Sequence, residues 1–234
     1  KITAAYRITV GDLKSLRDLG NDECVNGFLQ LVAREYAGAR KVHVFPSMFY
    51  MILVDDPQDA GGSEYSRVRK WTRGEATTTR MNRPVLSELD ALLVPIHRKG
   101  ATPAHSHWML VVARLKARQL LFYDSLGSDG ARECDHVQKY LAAAFADRYA
   151  TSTVTQGPWR VVAVPCPRQR GPVCAVRVCL HAAHALQAPT AAQGAGLEIL
   201  GAATGAEEEQ MRFFAANSLR LGAVPRLWGE AAAV

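Results

Sequence analysis

Apolar positions in this chain follow two rhythms: helical spacing toward its two ends, and short unbroken runs in the middle. Val25, Phe28, Leu29 and Val32 stand at i, i+3, i+4 and i+7 behind the polar pair Asn21-Asp22. That spacing predicts an amphipathic helix with a polar N-cap. Val42 to Phe45 reads as a short strand, and Ser47 is placed to cap a second apolar helix running through Val54. Asp55 to Ser63 carries Pro57, Gly61 and Gly62 and reads as a loop, followed by a short basic helix from Glu64 to Thr72. The middle of the chain is β. Leu92 to His97 is a buried strand, and His107 to Leu115 and Gln119 to Leu126 are two more, joined by the polar turn Lys116-Ala117-Arg118.

Beyond that hairpin the helical rhythm returns. Val137, Tyr140, Leu141 and Phe145 form one stripe of a helix over Ala131 to Arg148. Trp159 to Val164 is another strand, and Pro165 to Val173, with three prolines and a glycine, is a loop. Cys174 to Gln187 and Glu207 to Leu219 read as helices. Helices first, then a strand cluster, then helices is an α+β order rather than a βαβ alternation. No repeat or low-complexity tract divides residues 1–234, which read as a single domain with loops.

Composition narrows the class without choosing a function. With 234 residues, 48% hydrophobic and 21% charged, the chain can bury a substantial core. Its longest apolar runs, Ala91 to Ile96 and Met109 to Ala113, are strand-sized, well short of the roughly 18 residues of a membrane span. No stretch reads as a secretory signal, and Lys1 in place of an initiating Met leads us to expect a segment of a longer protein. Five cysteines without a C-x-x-C pair point away from a disulfide framework and toward a reducing compartment. The net charge of +6 is spread among interleaved acidic and basic residues. We read it as a solvated surface rather than a nucleic-acid footprint.

The hairpin carries the first chemical hint. A turn centred near Ala117 pairs His107 near Leu126 or Gly127, and Asp124 near Leu110 or Met109. Both residues then lie at the open end of one ribbon, where diagonal neighbours are roughly 7–8 Å apart. An acid–base histidine needs such a carboxylate to fix its tautomer and support the imidazolium. On these two residues alone, an exposed His and a turn-forming Asp at strand ends is the commoner arrangement.

Cys174 supplies the second hint. It follows a Pro/Gly loop and opens a helix, where free N–H groups and the helix dipole favour a thiolate. Transfer of its proton to His107 would give a thiolate–imidazolium nucleophile. Gln169, five residues upstream, could help hold an oxyanion through its amide. A small buried helix residue is the plainer reading of a lone Cys, and it suits Cys179 better. His105 competes with His107 as the base. His105 with His107, or His181 with His184, could ligate metal, but no Cys or carboxylate partner has matching spacing, so no metal and no cofactor is expected.

Taken together these residues resemble the SUMO-specific (sentrin-specific) proteases, the ubiquitin-like-protein-specific cysteine proteases. The similarity runs from about Ile8 to Ala188. It is carried by Ile8-Thr-Val-Gly-Asp-Leu13, by Asn21-Asp22 with the helix behind it, and by Val42-His-Val-Phe45 and Phe49-Tyr50. Val68-Arg-Lys-Trp-Thr72, Val94-Pro-Ile-His97, His107-Trp108, Tyr123-Asp-Ser-Leu126, and Cys174 with Cys179 complete the set. Each block is weak alone; the ordered set is specific.

The resemblance implies a papain-like cysteine protease fold, a central mixed sheet flanked by helices, with catalytic order His107, Asp124, Cys174. It implies cleavage after the Gly-Gly terminus of a modifier, SUMO first, in maturation and in release from lysine. It further implies Gln169 as oxyanion donor, Trp108 as one wall of a tunnel around the diglycine, and Asp22 as a contact to the modifier's body. A monomeric protein working in the nucleus or cytoplasm is expected. Three departures mark this chain. Leu19 stands where the family has a second tryptophan. Val173-Cys174-Ala175 replaces Asp-Cys-Gly. Gln169 lies five residues before the Cys rather than six, with Arg168 at the sixth. The same chemistry on another modifier, a related acetyltransferase, and a modifier-binding pseudoprotease are the alternatives.

Overall fold

The Asn21 side-chain oxygen accepts the Cys24 backbone N–H at 2.9 Å, satisfying one of the donors that a helix start leaves unpaired. The helix it opens, α1, spans Asp22–Tyr36, with acidic Asp22 and Glu23 in its first turn and Arg34 in its last, the polarity that suits the helix dipole. These features belong to the computed structural model of the chain, which describes residues 21–54, 65–72, 84–100, 106–148, 158–169, 171 and 173–187. The expected loop at 55–63 and the helix over 207–219 lie outside the described residues.

After α1 come β1 (Val42–Val44), α2 (Met48–Val54), α3 (Tyr65–Val68), β2 (Ala91–Arg98), β3 (His107–Arg114), β4 (Gln119–Tyr123), α4 (Ala131–Arg148), β5 (Arg160–Val164) and α5 (Cys174–Gln187). Ser47 stands immediately before α2, but it is engaged elsewhere. Its hydroxyl accepts from Asn26 Nδ2 at 3.2 Å, and its N–H donates to Asn26 Oδ1 at 2.8 Å. This buried reciprocal pair fastens the start of α2 to the middle of α1.

The five strands form one sheet in the order β1-β2-β3-β4-β5. Its centre is antiparallel, β2 to β3 to β4, and both edge pairings are parallel. The sheet is therefore mixed and the fold α+β, as expected. Alternate residues of the central strands serve two cores. Leu93, Leu110, Val112, Leu121 and Tyr123 pack on the side of α1 and α5. Leu92, Val94, Met109, Val111, Leu120 and Phe122 pack with residues of α2 and α4. Burial on both faces explains why β2 and β3 read as continuous apolar runs without a polar alternation. At roughly 1.5–3 kcal/mol for each large apolar side chain removed from water, these two cores dominate the stability of the fold.

Candidate active site

The hairpin of β3 and β4 brings the first two site residues together. Leu110 pairs with Tyr123, and the same register continued one step sets Asp124 opposite Met109, within the range expected from the turn. The strand β4 stops at Tyr123 rather than running to Leu126. Asp124 causes this: its Oδ1 accepts the Leu126 N–H at 2.8 Å and its Oδ2 the Ser128 N–H at 3.0 Å. The chain curls around its own carboxylate, as short Asx side chains favour. Gly127 and Gly130 adopt φ of 83° and 66° in this curl, which glycine accepts without strain. A Cβ at Gly130 would meet the Phe122 ring at 2.2 Å.

His107 Nε2 lies 2.5 Å from Asp124 Oδ1, and both side chains are buried. A short hydrogen bond from Ser128 Oγ also reaches Asp124 Oδ2. The carboxylate thus accepts from two backbone N–H groups, one hydroxyl and one imidazole. Burial would raise the Asp124 pKa, but His107 and Ser128 overcome it and hold the group well below the usual carboxylate range. Burial likewise pulls His107 down, yet the Asp124 carboxylate and the Cys174 thiol outweigh it and lift His107 to about 9. A carboxylate that stays ionised beside an imidazole that holds its proton is the electrostatic setting a thiolate partner requires.

Cys174 is the first residue of α5, and its side chain is one of the groups that raise the His107 pKa. Since Nε2 is committed to Asp124, the ring atom left for Cys174 is Nδ1. Burial raises Cys166 to about 11 and Cys134 to about 12, and pushes Cys179 up further still inside the core. All five cysteines are free.

Gln169 sits in the loop before α5, anchored at both ends of its carboxamide. Its Oε1 accepts from Ser125 Oγ at 2.5 Å and its Nε2 donates to Gly171 O at 3.0 Å. The loop is also tied to α5 by the buried Arg177, whose Nη1 donates to Pro167 O at 2.9 Å. Arg168 is exposed.

Trp108 is only 1% exposed. Its indole is covered by the ring of its cross-strand neighbour His97, parallel within 1° at a centroid distance of 4.3 Å. His97 Nδ1 in turn lies 3.7 Å from Asp22 Oδ1, and the Asp22 side chain is half-exposed. Burial, ahead of the opposing pull of Asp22, lowers the His97 pKa, so the ring is neutral near pH 7. Leu19 and His105 lie outside the described residues. His181, on α5, stacks on Tyr123, and burial drives it down to about 3, so it stays a neutral core residue. Among the described residues no group of three or more His, Cys, Asp or Glu is arranged to hold a metal ion.

This order, a buried His–Asp pair at a hairpin's end facing a Cys that opens a helix, can be set beside known proteins. The sequence model described as the Ulp1 protease family, C-terminal catalytic domain, matches residues 21–189, a span that includes His107, Asp124, Gln169 and Cys174. The chain belongs to the Ulp1 protease family. It is 36% identical to human sentrin-specific protease 2 over 139 residues, which are 58% of this chain and 20% of that protein. It is 28% identical to mouse sentrin-specific protease 5 over 151 residues, 64% of this chain and 17% of that one. The Ulp1-family chain thus spans about a fifth of the length of these relatives.

Solved structures agree on the fold. A de-sumoylating protease superposes with a TM-score of 0.68 at 21% identity, covering 93% of this chain and 86% of that one. The C-terminal Ulp1 protease domain, solved in complex with Smt3, the yeast ortholog of SUMO, gives 0.66 at 20% identity, covering 95% and 87%. Family membership makes the expected class, a cysteine peptidase, the class of this domain. Two polar residues near the Ulp1-family site had no role in the sequence reading. Ser128 was detectable as a hydroxyl four residues beyond an Asp in a glycine-rich turn. Ser125 was legible only as part of the Tyr-Asp-Ser-Leu block.

Proposed function

We propose that this domain is a thiol isopeptidase that cleaves after the C-terminal Gly-Gly of SUMO, both to mature the modifier and to release it from lysine. The observation that carries this reading is the buried His107–Asp124 pair, Nε2 to Oδ1 at 2.5 Å, with the Cys174 side chain at the start of α5 among the groups that raise the imidazole's pKa. His107 takes the thiol proton, and the Cys174 sulfur attacks the carbonyl carbon of the terminal glycine. The oxyanion forms against the Gln169 amide and the backbone N–H groups at the start of α5. As the tetrahedral adduct collapses, the C–N bond breaks and His107 returns the proton to the leaving amine, leaving a thioester on Cys174. Water, deprotonated by His107, then attacks the thioester and releases the modifier's carboxylate and the free thiol.

Trp108 and Leu19 bracket the diglycine, which requires the His97 ring that covers the indole to move aside, and Asp22, half-exposed at the start of α1, contacts the body of the modifier. Leucine in place of a second tryptophan gives a looser slot. All residues 1–234 serve one catalytic domain, acting as a monomer inside the cell, in the nucleus, where its free thiols stay reduced. Turnover of a SUMO C-terminal fluorogenic amide by the wild-type domain, abolished in Cys174→Ser, is the expected result. Hydrolysis of no modifier substrate would overturn the reading, and activity surviving in Cys174→Ser would overturn the nucleophile.

A further inference from the structure

We infer that Ser125 is the positioning residue that makes Gln169, and not Arg168, the oxyanion donor, tying that donor to the catalytic base through consecutive residues of one turn. The inference rests on the isopeptidase reading above. It deepens that reading at the glutamine that supplies the oxyanion donor.

Three hydrogen bonds define the position of Gln169. Its backbone N–H donates to Ser125 O at 2.9 Å, its Oε1 accepts from Ser125 Oγ at 2.5 Å, and its Nε2 donates to Gly171 O at 3.0 Å. A carbonyl oxygen can only accept, so Gly171 fixes which end of the carboxamide is nitrogen. The Ser125 hydroxyl must then be the donor to the other end. One Nε2 hydrogen is used on Gly171, and the second remains for a ligand oxygen.

Ser125 can act as a fixed post because it is 1% exposed and follows directly on Asp124. Asp124 itself is immobilised by the Leu126 and Ser128 N–H groups and receives His107. The residue that orients the base and the residue that orients the oxyanion donor are therefore neighbours in sequence. Moving the loop register by one residue shifts a side chain by roughly 3.5 Å along an extended chain. Ser125 holds Gln169 by both backbone and side chain, so the clamp decides which loop residue meets the oxyanion. Arg168, next to it, faces solvent.

The test measures kcat and KM of the domain on a SUMO C-terminal fluorogenic amide for wild type, Gln169→Ala, Ser125→Ala and the double variant, with a thermal melt for each. Removing the donor itself is expected to lower kcat about 100-fold or more. Ser125→Ala is expected to lower kcat about tenfold or more with KM within about twofold, because ordering of the donor is lost while modifier binding stays. The double variant should be no slower than Gln169→Ala, since Ser125 acts only through that side chain. Should Ser125→Ala melt too low to assay, Ser125→Cys, nearly isosteric and a weak donor, takes its place with the same expectations. Wild-type kcat in the Ser125 variant, or losses that multiply in the double variant, would overturn the proposal while leaving the isopeptidase reading intact. Wild-type kcat in Gln169→Ala would overturn the oxyanion role and the clamp with it, and absence of turnover in wild type would overturn both readings.

Discussion

His107 presents Nε2, not Nδ1, to Asp124, at 2.5 Å. The nitrogen not engaged by Asp124 is the one nearer the backbone, so the base is held on strand β3 close to the main chain. Asp124 is as firmly placed, since it accepts from two backbone N–H groups as well as from His107 and Ser128.

Asp124→Asn keeps the shape of this turn but replaces an acceptor with a group that can donate, and removes the charge opposite the imidazolium. A drop in kcat of about 10²–10⁴ is expected, with KM changed little, because the wrong tautomer and an unsupported imidazolium affect the chemical step. Steady-state kinetics on the fluorogenic amide decide it; a variant within threefold of wild type would exclude Asp124 as the orienting acid.

Stability should depend on pH through the same pair. The folded-state pKa of His107, about 9, lies above its ordinary 6.5, so the folded protein binds this proton more tightly than the unfolded chain. The resulting stabilisation is fully present below about pH 6.5 and is lost as pH rises through 9. Asp124 works in the opposite sense: its depressed pKa stabilises above the ordinary carboxylate range and is lost on acidification. Urea titrations at pH 7.5 and 9, above the range where the buried neutral histidines such as His181 and His43 contribute, should show wild type losing stability toward pH 9, with a smaller loss for His107→Gln. Equal slopes for the two proteins would contradict this account.

Gly130→Ala meets two obstacles at once, a positive φ and a Cβ 2.2 Å from the Phe122 ring. We expect a loss of roughly 2–4 kcal/mol from backbone strain and overpacking combined. Chemical denaturation measures it, and a change below about 0.5 kcal/mol would mean that Phe122 and the turn relax freely.

Asn26→Ala removes both hydrogen bonds to Ser47 and leaves the Ser47 N–H buried without that acceptor. The cost is expected at about 1–3 kcal/mol. The denaturation midpoint of the Ala variant measures it.

Much of this was legible in the residues because the signals are local. The bounds of α4 and α5 follow from apolar spacing, the start of α1 from its Asn cap, and the meeting of His107 with Asp124 from the reach of a tight hairpin. Local signals also placed Cys174 at a helix start behind a Pro/Gly loop. The contact of Cys174 with His107 depends instead on packing α5 against the sheet, and no sequence spacing encodes that distance. The same holds for Ser125 with Gln169, 44 residues apart, and for the burial of Trp108 beneath His97, which needs the β2–β3 register. The early end of β4 was hidden as well, since Leu126 continues an apolar run and only the folded Asp124 carboxylate turns the chain away. Sequence by itself determined the elements and the chemical types present; tertiary packing decided which of them touch, because hydrogen-bond geometry tolerates only tenths of an ångström and local patterning is blind to that scale.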